Sequence, residues 1–163
     1  MKKTIAAAVI AAFLPTLSYA ATLNFPSEAP IASITIPDTW GPKETETGID
    51  ATSDDEAIYI SIDVADSETS DKVIEDAIAF LEKNGVKIDA STQKESSEKL
   101  NGMDMTNLDW SGRDNDGDVS VGLSFLSPKE DKLLVITYWG TKGMQDQHGP
   151  ELQSIITSLK SAE

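Results

Sequence analysis

The side chains with chemical potential in this sequence are mostly carboxylates. Between Glu44 and Asp71 stand ten acids (Glu44, Glu46, Asp50, Asp54, Asp55, Glu56, Asp63, Asp66, Glu68 and Asp71) and no Lys or Arg. Such a run can hold a divalent cation through oxygen ligands, steer a basic partner to the surface, or simply be a solvated face that keeps the chain soluble. Its densest part, Asp54-Asp55-Glu56, follows Ser53 in a polar turn and supplies the candidate contacts to a partner. A second group, Asp114-Asn115-Asp116-Gly117-Asp118, carries alternating carboxylates, so Asp114, Asp116 and Asp118 are the metal candidates. The spacing departs from a calcium loop begun at Asp114. That loop wants glycine at its sixth position, where Val119 stands, and a bidentate acid at its twelfth, where Phe125 stands. An acidic hairpin turn is the simpler expectation.

His148 is the only histidine, hence the one side chain that titrates unaided near neutral pH. A Ser-His-Asp hydrolase would need it as base, but Gly122-Leu123-Ser124 lacks the second glycine of a nucleophile elbow and Ser124 falls inside a strand pattern. Beside Gly149-Pro150 at a helix entrance, His148 is expected on a surface loop. The absence of Cys excludes thiol catalysis, cysteine zinc sites and disulfides, and no glycine-rich phosphate loop occurs. No cofactor is implied. Trp40, Trp110 and Trp139 sit near strand ends, where packing is the default role for tryptophan. Trp40 and Trp139 are further candidate partner contacts, and convergence with Tyr59 or Tyr138 would make a groove.

The elements that must position these groups come from a chain of 163 residues with 28 Asp+Glu against 13 Lys+Arg, a formal charge of -15. That balance repels phosphate backbones and anionic lipid, which removes nucleic acid from the expected partners. Met1-Lys2-Lys3, the apolar run Thr4 to Leu17 and Ser18-Tyr19-Ala20 form a secretory signal (1–20), with cleavage expected after Ala20. The run is short for a bilayer and broken by Pro15, and no Cys follows for lipidation, so a periplasmic or secreted protein without membrane insertion is expected.

Residues 21–30, with Asn24, Pro26, Ser27 and Pro30, read as an extended leader without a regular element, and 31–163 as a single domain. Ala32, Ile34 and Ile36 alternate as a strand, and Ile58, Ile60, Ile62 and Val64 as another. Ile74, Ala77, Ile78 and Leu81, widened by Val73 and Phe80, predict a helix over about 69–84 with Ser67, Thr69 or Ser70 as N-cap and Asn84-Gly85 as its stop. Asn101-Gly102 and Asp116-Gly117 predict the hairpins of an antiparallel meander. Met103 and Met105 lie out of phase with Leu108 and Trp110, which suggests a bulge near Thr106 and Asn107. Leu133 to Trp139 is apolar on both alternating sets, the mark of a central strand covered twice. Leu152, Ile155, Ile156 and Leu159 give a last helix over about 150–160. Two amphipathic helices and a doubly covered strand predict an α+β three-layer α-β-α sandwich, its sheet mostly antiparallel, twisted and of about six to seven strands.

Four features in order carry a family resemblance: Ile34-Thr35-Ile36-Pro37-Asp38-Thr39-Trp40 with its Pro-x-x-Trp end, the helix before Asn84-Gly85, the Asn101-Gly102 meander, and Ile155-Ile156-Thr157-Ser158-Leu159-Lys160. On these the chain resembles the PsbP-like family, whose sandwich is shared with DcrB-type secreted bacterial proteins and the Ran-binding Mog protein. The resemblance implies an accessory or binding role, as in photosystem assemblies, and offers no shared catalytic site to carry over. The expectation is an exported, non-catalytic accessory or protein-interaction module whose protein partner has a basic surface. The alternative is a calcium-type divalent-cation binder using clustered carboxylates, and a minor alternative is a hydrolase using His148.

Overall fold

The doubly apolar segment lies at the centre of the molecule. The structure, a computed structural model, describes residues 20–162, and the signal-peptide expectation falls, but for Ala20, outside the described residues. In chain order the elements are β1 (Ala20–Phe25), β2 (Ala32–Pro37), β3 (Lys43–Glu44), β4 (Gly48–Thr52), β5 (Ile58–Ala65), α1 (Ser70–Lys83), β6 (Lys87–Leu100), β7 (Met103–Arg113), β8 (Asp118–Lys129), β9 (Lys132–Thr141), α2 (Gly149–Ser158) and β10 (Lys160–Ser161). Seven strands make one sheet in the order β3-β4-β5-β9-β8-β7-β6, and β1-β2-β10 make a second. Every pairing is antiparallel.

The α+β class with a mostly antiparallel sheet is therefore as expected, but the described residues form ten strands in two sheets where one sheet of six to seven was expected. The extra sheet comes from the segment read as an irregular leader. Ala20–Phe25 pairs along the whole of β2, and Phe25 is fully buried while Asn24 pairs opposite Ser33. A two-residue β10 completes the sheet on the other side of β2.

β9 is flanked by β5 and β8 and is apolar on both faces because each face meets a different core. Leu134 and Ile136 join Ile58, Ile60 and Ile62 against Ile155 and Leu159 at the α2 end of the chain and Ile34 and Ile36 of β2. On the opposite face Val135 packs with Ala65 of β5 and Val73 of α1, and Leu81 and Val86 pack on Val119 and Val121 of β8. Burial of each such aliphatic side chain stabilises the fold by about 1.5–3 kcal/mol. α1 buries Val73, Ala77 and Leu81, and leaves Ile78 and Phe80 more than a third exposed, so its contact stripe is narrower than the predicted face.

The ends of α1 explain its sharp limits. Ser67 and Ser70 do not cap it. Asp66 Oδ1 accepts from the Thr69 and Glu68 amides, while Thr69 Oγ1 accepts from the Asp66 amide, a reciprocal pair that closes the preceding turn. At the other end Gly85 has φ +83°, its amide donates to Glu82 and that of Val86 donates to Leu81, with Val86 and Leu81 in apolar contact. These are the bonds of a Schellman stop.

Asn101 and Gly102 both take positive φ and turn β6 into β7. The expected bulge near Thr106 is absent, since β7 pairs with β8 in unbroken register from Met105 to Arg113. The change of apolar phase has another cause. Met103 and Met105 belong to the core beneath α2, whereas Trp110 lies opposite Val121 on the α1 face, so the covered face switches along one regular strand. The register break sits in β6, between Asp89 and Lys94. That strand is almost wholly exposed and carries Lys94, Glu95, Glu98 and Lys99, charges of the kind that blunt a sheet edge.

Candidate functional site: an acidic groove with an aromatic floor

Three rings meet on the α1 face of the large sheet. Tyr59 of β5 and Trp139 of β9 are register partners whose side chains project to the same side, with ring centroids 6.2 Å apart. Phe80 reaches down from the shoulder of α1 and stacks on Tyr59 at 4.9 Å and 29°. No short stretch of sequence contains this trio. It exists because β5 and β9 are neighbours and α1 crosses them.

Two acidic turns rise around the rings and enclose a groove of about 590 Å³. The β4–β5 turn contributes Asp54 and Glu56, and the β7–β8 turn contributes Asp114 and Asp116. Lys43 and Asn84 complete the rim. The first turn is held from within: Asp55 Oδ1 accepts from Ser53 Oγ and from the Ala57 amide, and Glu56 adopts φ +60°. In the second, Asp114 Oδ1 accepts from the amides of Asp116 and Gly117, and Asp114 Oδ2 accepts from Trp139 Nε1 at 3.0 Å. Asp114 thus fixes the turn and the orientation of the indole together.

Tyr59 is half-buried, and burial, reinforced by Asp50 and Asp63, pushes its phenol up to about 12, so this ring stays uncharged. Four carboxylates against one Lys around three π faces is an arrangement that attracts ammonium and guanidinium groups, by field and by cation–π contact.

The residues singled out in the sequence divide accordingly. Asp54, Glu56, Trp139, Asp114 and Asp116 converge here. Asp55 turns away to His148, Nε2 lying 3.0 Å from Asp55 Oδ2, and His148 Nδ1 lies 3.1 Å from Glu151 Oε2. Trp40 is 2 % exposed; its indole donates to that same Glu151 oxygen and its ring meets His148 edge-on at 5.8 Å. Asp118 points to Arg113 at 2.8 Å. Among the described residues the trio whose ligand atoms approach within 4.8 Å of one another is Asp54, Asp55 and His148. Tyr59, named from the sequence as a ring whose convergence with a tryptophan would make a groove, meets Trp139 here, whereas Phe80, Lys43 and Asn84 are groove residues that the sequence did not single out for a site. Phe80 carried a signal, a large aromatic at the margin of a helix face whose centre was already filled.

With a carboxylate at each ring nitrogen, His148 fastens the β4–β5 turn to the start of α2 and has no free nitrogen for a hydroxyl proton. The hydrogen bond to Asp55, then that to Glu151, holds its pKa above the ordinary 6.5, and the same bond holds Asp55 down at about 2. The raised histidine contributes stability that is complete below pH 6.5 and fades as pH rises through the folded value. The depressed aspartate contributes above pH 3.8 and is lost as pH falls toward about 2. The melting temperature of wild type minus His148→Gln should therefore be largest between about pH 4 and 6.5 and shrink toward pH 9. A difference that does not change with pH would show that the contact carries no charge.

No family model and no curated protein matches the chain by sequence. Solved structures do match. The fold is similar to cyanobacterial PsbP (CyanoP) from Synechocystis sp. PCC 6803, at TM-score 0.61 and 7% identity over 94% of this chain and 99% of that one. It is similar to LpqN, involved in cell envelope biogenesis of Mycobacterium tuberculosis, at TM-score 0.51 and 14% identity over 89% and 91%. A structure from Bacteroides thetaiotaomicron VPI-5482 matches at TM-score 0.53 and 12% identity over 81% of this chain, which spans 45% of its length. The chain therefore has a PsbP-like fold, and no described helix is long and apolar enough to cross a membrane.

Proposed function

We propose that the protein is an exported, non-catalytic accessory module that docks a basic segment of a protein partner in the acidic aromatic groove. The observation that carries this is the meeting of Asp54, Glu56, Asp114 and Asp116, from two turns sixty residues apart in sequence, above Tyr59, Phe80 and Trp139. Carboxylates on a rim raise the encounter rate of a basic partner, and exposed rings at the centre supply the contact energy. Export is supported by the positively charged and then apolar start of the sequence and by the cell-envelope role named for LpqN. An accessory role is supported by the PsbP-like fold, with α1 on one face of the large sheet and α2 and the small sheet on the other as the layers of a sandwich.

The test uses the chain from Ala21 as immobilised bait against exported proteins of its own source. A partner should be recovered at low salt, released near 0.5 M salt as the Debye length falls below about 5 Å, and recovered at least about tenfold less by Asp54→Lys/Glu56→Lys/Asp116→Lys. Phe80→Ser, at a side chain already exposed, should weaken recovery without altering the salt dependence. Equal recovery by wild type and the triple variant would end the proposal.

The divalent-cation alternative rests on the Asp54, Asp55 and His148 trio. It requires a rise in melting temperature with calcium or zinc that magnesium at matched ionic strength does not give, and that His148→Gln abolishes.

A further inference from the structure

On the other side of the Tyr59–Phe80 pair lies a second cavity, of about 320 Å³, between α1 and strands β4, β5 and β9. Its floor is a row of oxygens set by strand register: Asp50 opposite Ser61, and Ser61 opposite Thr137. Its ceiling is apolar, formed by Val73, Ala77 and Phe80 of α1. Thr137 is 0 % exposed, and among the described residues its Oγ1 is the buried side-chain polar atom that has no hydrogen-bond partner. Leaving such a hydroxyl unmatched is costly, so its position on the floor of a cavity points to a ligand group.

The neighbouring groups say what kind. Asp63 is already occupied, accepting from Thr47 Oγ1 and from Ser61 Oγ. Ser61 Oγ has thus spent its proton on Asp63 and can only accept further bonds. Asp50, half-buried, has no ion-pair partner among the described residues, although Lys43 stands across the strand pair. Burial holds its carboxyl above the ordinary value against the opposing pull of the Lys43 charge, and the Asp63 charge adds to the rise. Among the described residues the acids here do not form a trio within 4.8 Å, unlike the group of Asp54, Asp55 and His148. Asp50, Ser61 Oγ and Thr137 Oγ1 stand side by side on three adjacent strands, a carboxylate and two hydroxyls of the kind an ammonium group donates to, and the apolar ceiling matches a methylene stem.

We propose that this cavity binds a primary alkylammonium group, its nitrogen on the Asp50–Ser61–Thr137 row and its stem beneath Phe80. The chemistry is shared by free alkyl amines and by a lysine side chain of another protein. The inference does not depend on partner docking in the outer groove.

The test is calorimetric titration of the chain from Ala21 with 1,5-diaminopentane and, separately, with Nα-acetyl-lysine methylamide, against calcium chloride at matched ionic strength. Saturable one-to-one binding is expected for at least one amine and none for calcium. Asp50→Asn and Thr137→Val should each weaken it by about fivefold or more, the loss of one charged hydrogen bond, while Asp116→Asn in the outer groove should leave it unchanged. Thr137→Val also separates a ligand role from a packing defect: a mere defect would be relieved by Val with no effect on amine binding. Tighter binding of the diamine assigns the site to free amines, and tighter binding of the capped lysine assigns it to a protein side chain. No saturable heat with either amine, or binding indifferent to both Asp50→Asn and Thr137→Val, would overturn the proposal.

Discussion

Gly48→Ala is expected to lower the unfolding free energy by about 3 kcal/mol, a loss far beyond that of an ordinary exposed-edge substitution. A Cβ at position 48 would stand 1.8 Å from the Ile62 carbonyl oxygen, 2.9 Å from its carbon and 3.0 Å from Asp63 Cα, all backbone atoms with no rotamer to escape into. The obstacle is space rather than dihedral angle. Relief requires β4 to move off β5, which would break the turn held by the Thr45 amide on the Gly48 carbonyl and the Val64 amide on the Thr47 carbonyl. Because β4 carries Asp50, the same shift would take the acid row out of line with Ser61 and Thr137. Urea unfolding with amide exchange at residues 62–64 measures both effects. A change below about 0.5 kcal/mol would mean that the strand pair tolerates the methyl group and that its register is loosely set.

The second large effect belongs to two neighbours in β9. Leu134→Ala should cost about 3–4 kcal/mol and Val135→Ala about 2 kcal/mol, in proportion to the methylene groups removed and the cavities left. Both side chains are fully buried, but in separate cores, Leu134 with Ile60 and Ile155 and Val135 with Ala65 and Val73. In a strand with one wet face, one of two adjacent truncations is nearly silent. Denaturant midpoints for the two variants decide the point, and a negligible loss for either would show that one face of the central strand is not covered.

That double burial was legible at Leu133 to Trp139 because each alternating set was apolar on its own. The stop of α1 was legible at Asn84-Gly85, where positive φ and the Val86 contact are both local properties. β1 was not, because Asn24 and Pro26 outweighed Leu23 and Phe25 in a segment whose regularity comes from lying against β2. The phase change in β7 looked like a bulge because a sequence records which residues are apolar, not which face is covered at each end of the strand. The same limit governs the site. The acids of both turns could be picked out, but their sharing of one groove follows from sheet order, and the ring trio follows from where α1 crosses it.

The small sheet also decides how the molecule would answer a pull. β1 and β10 flank one strand, β2, from opposite sides, with Ala20 opposite Pro37 at one end of β2 and Ser161 opposite Ala32 at the other. Tension applied between residues 20 and 161 runs along the strand axis in opposite senses, so the hydrogen bonds are loaded side by side in shear and must yield together instead of unzipping one at a time. The two-residue contact of β10 is the weaker seam, with Asn101 Nδ2 donating to the Leu159 and Thr157 carbonyls just before it. Force would release the carboxyl end first, while the seam between β1 and β2, three times longer, still held the cores of the large sheet closed.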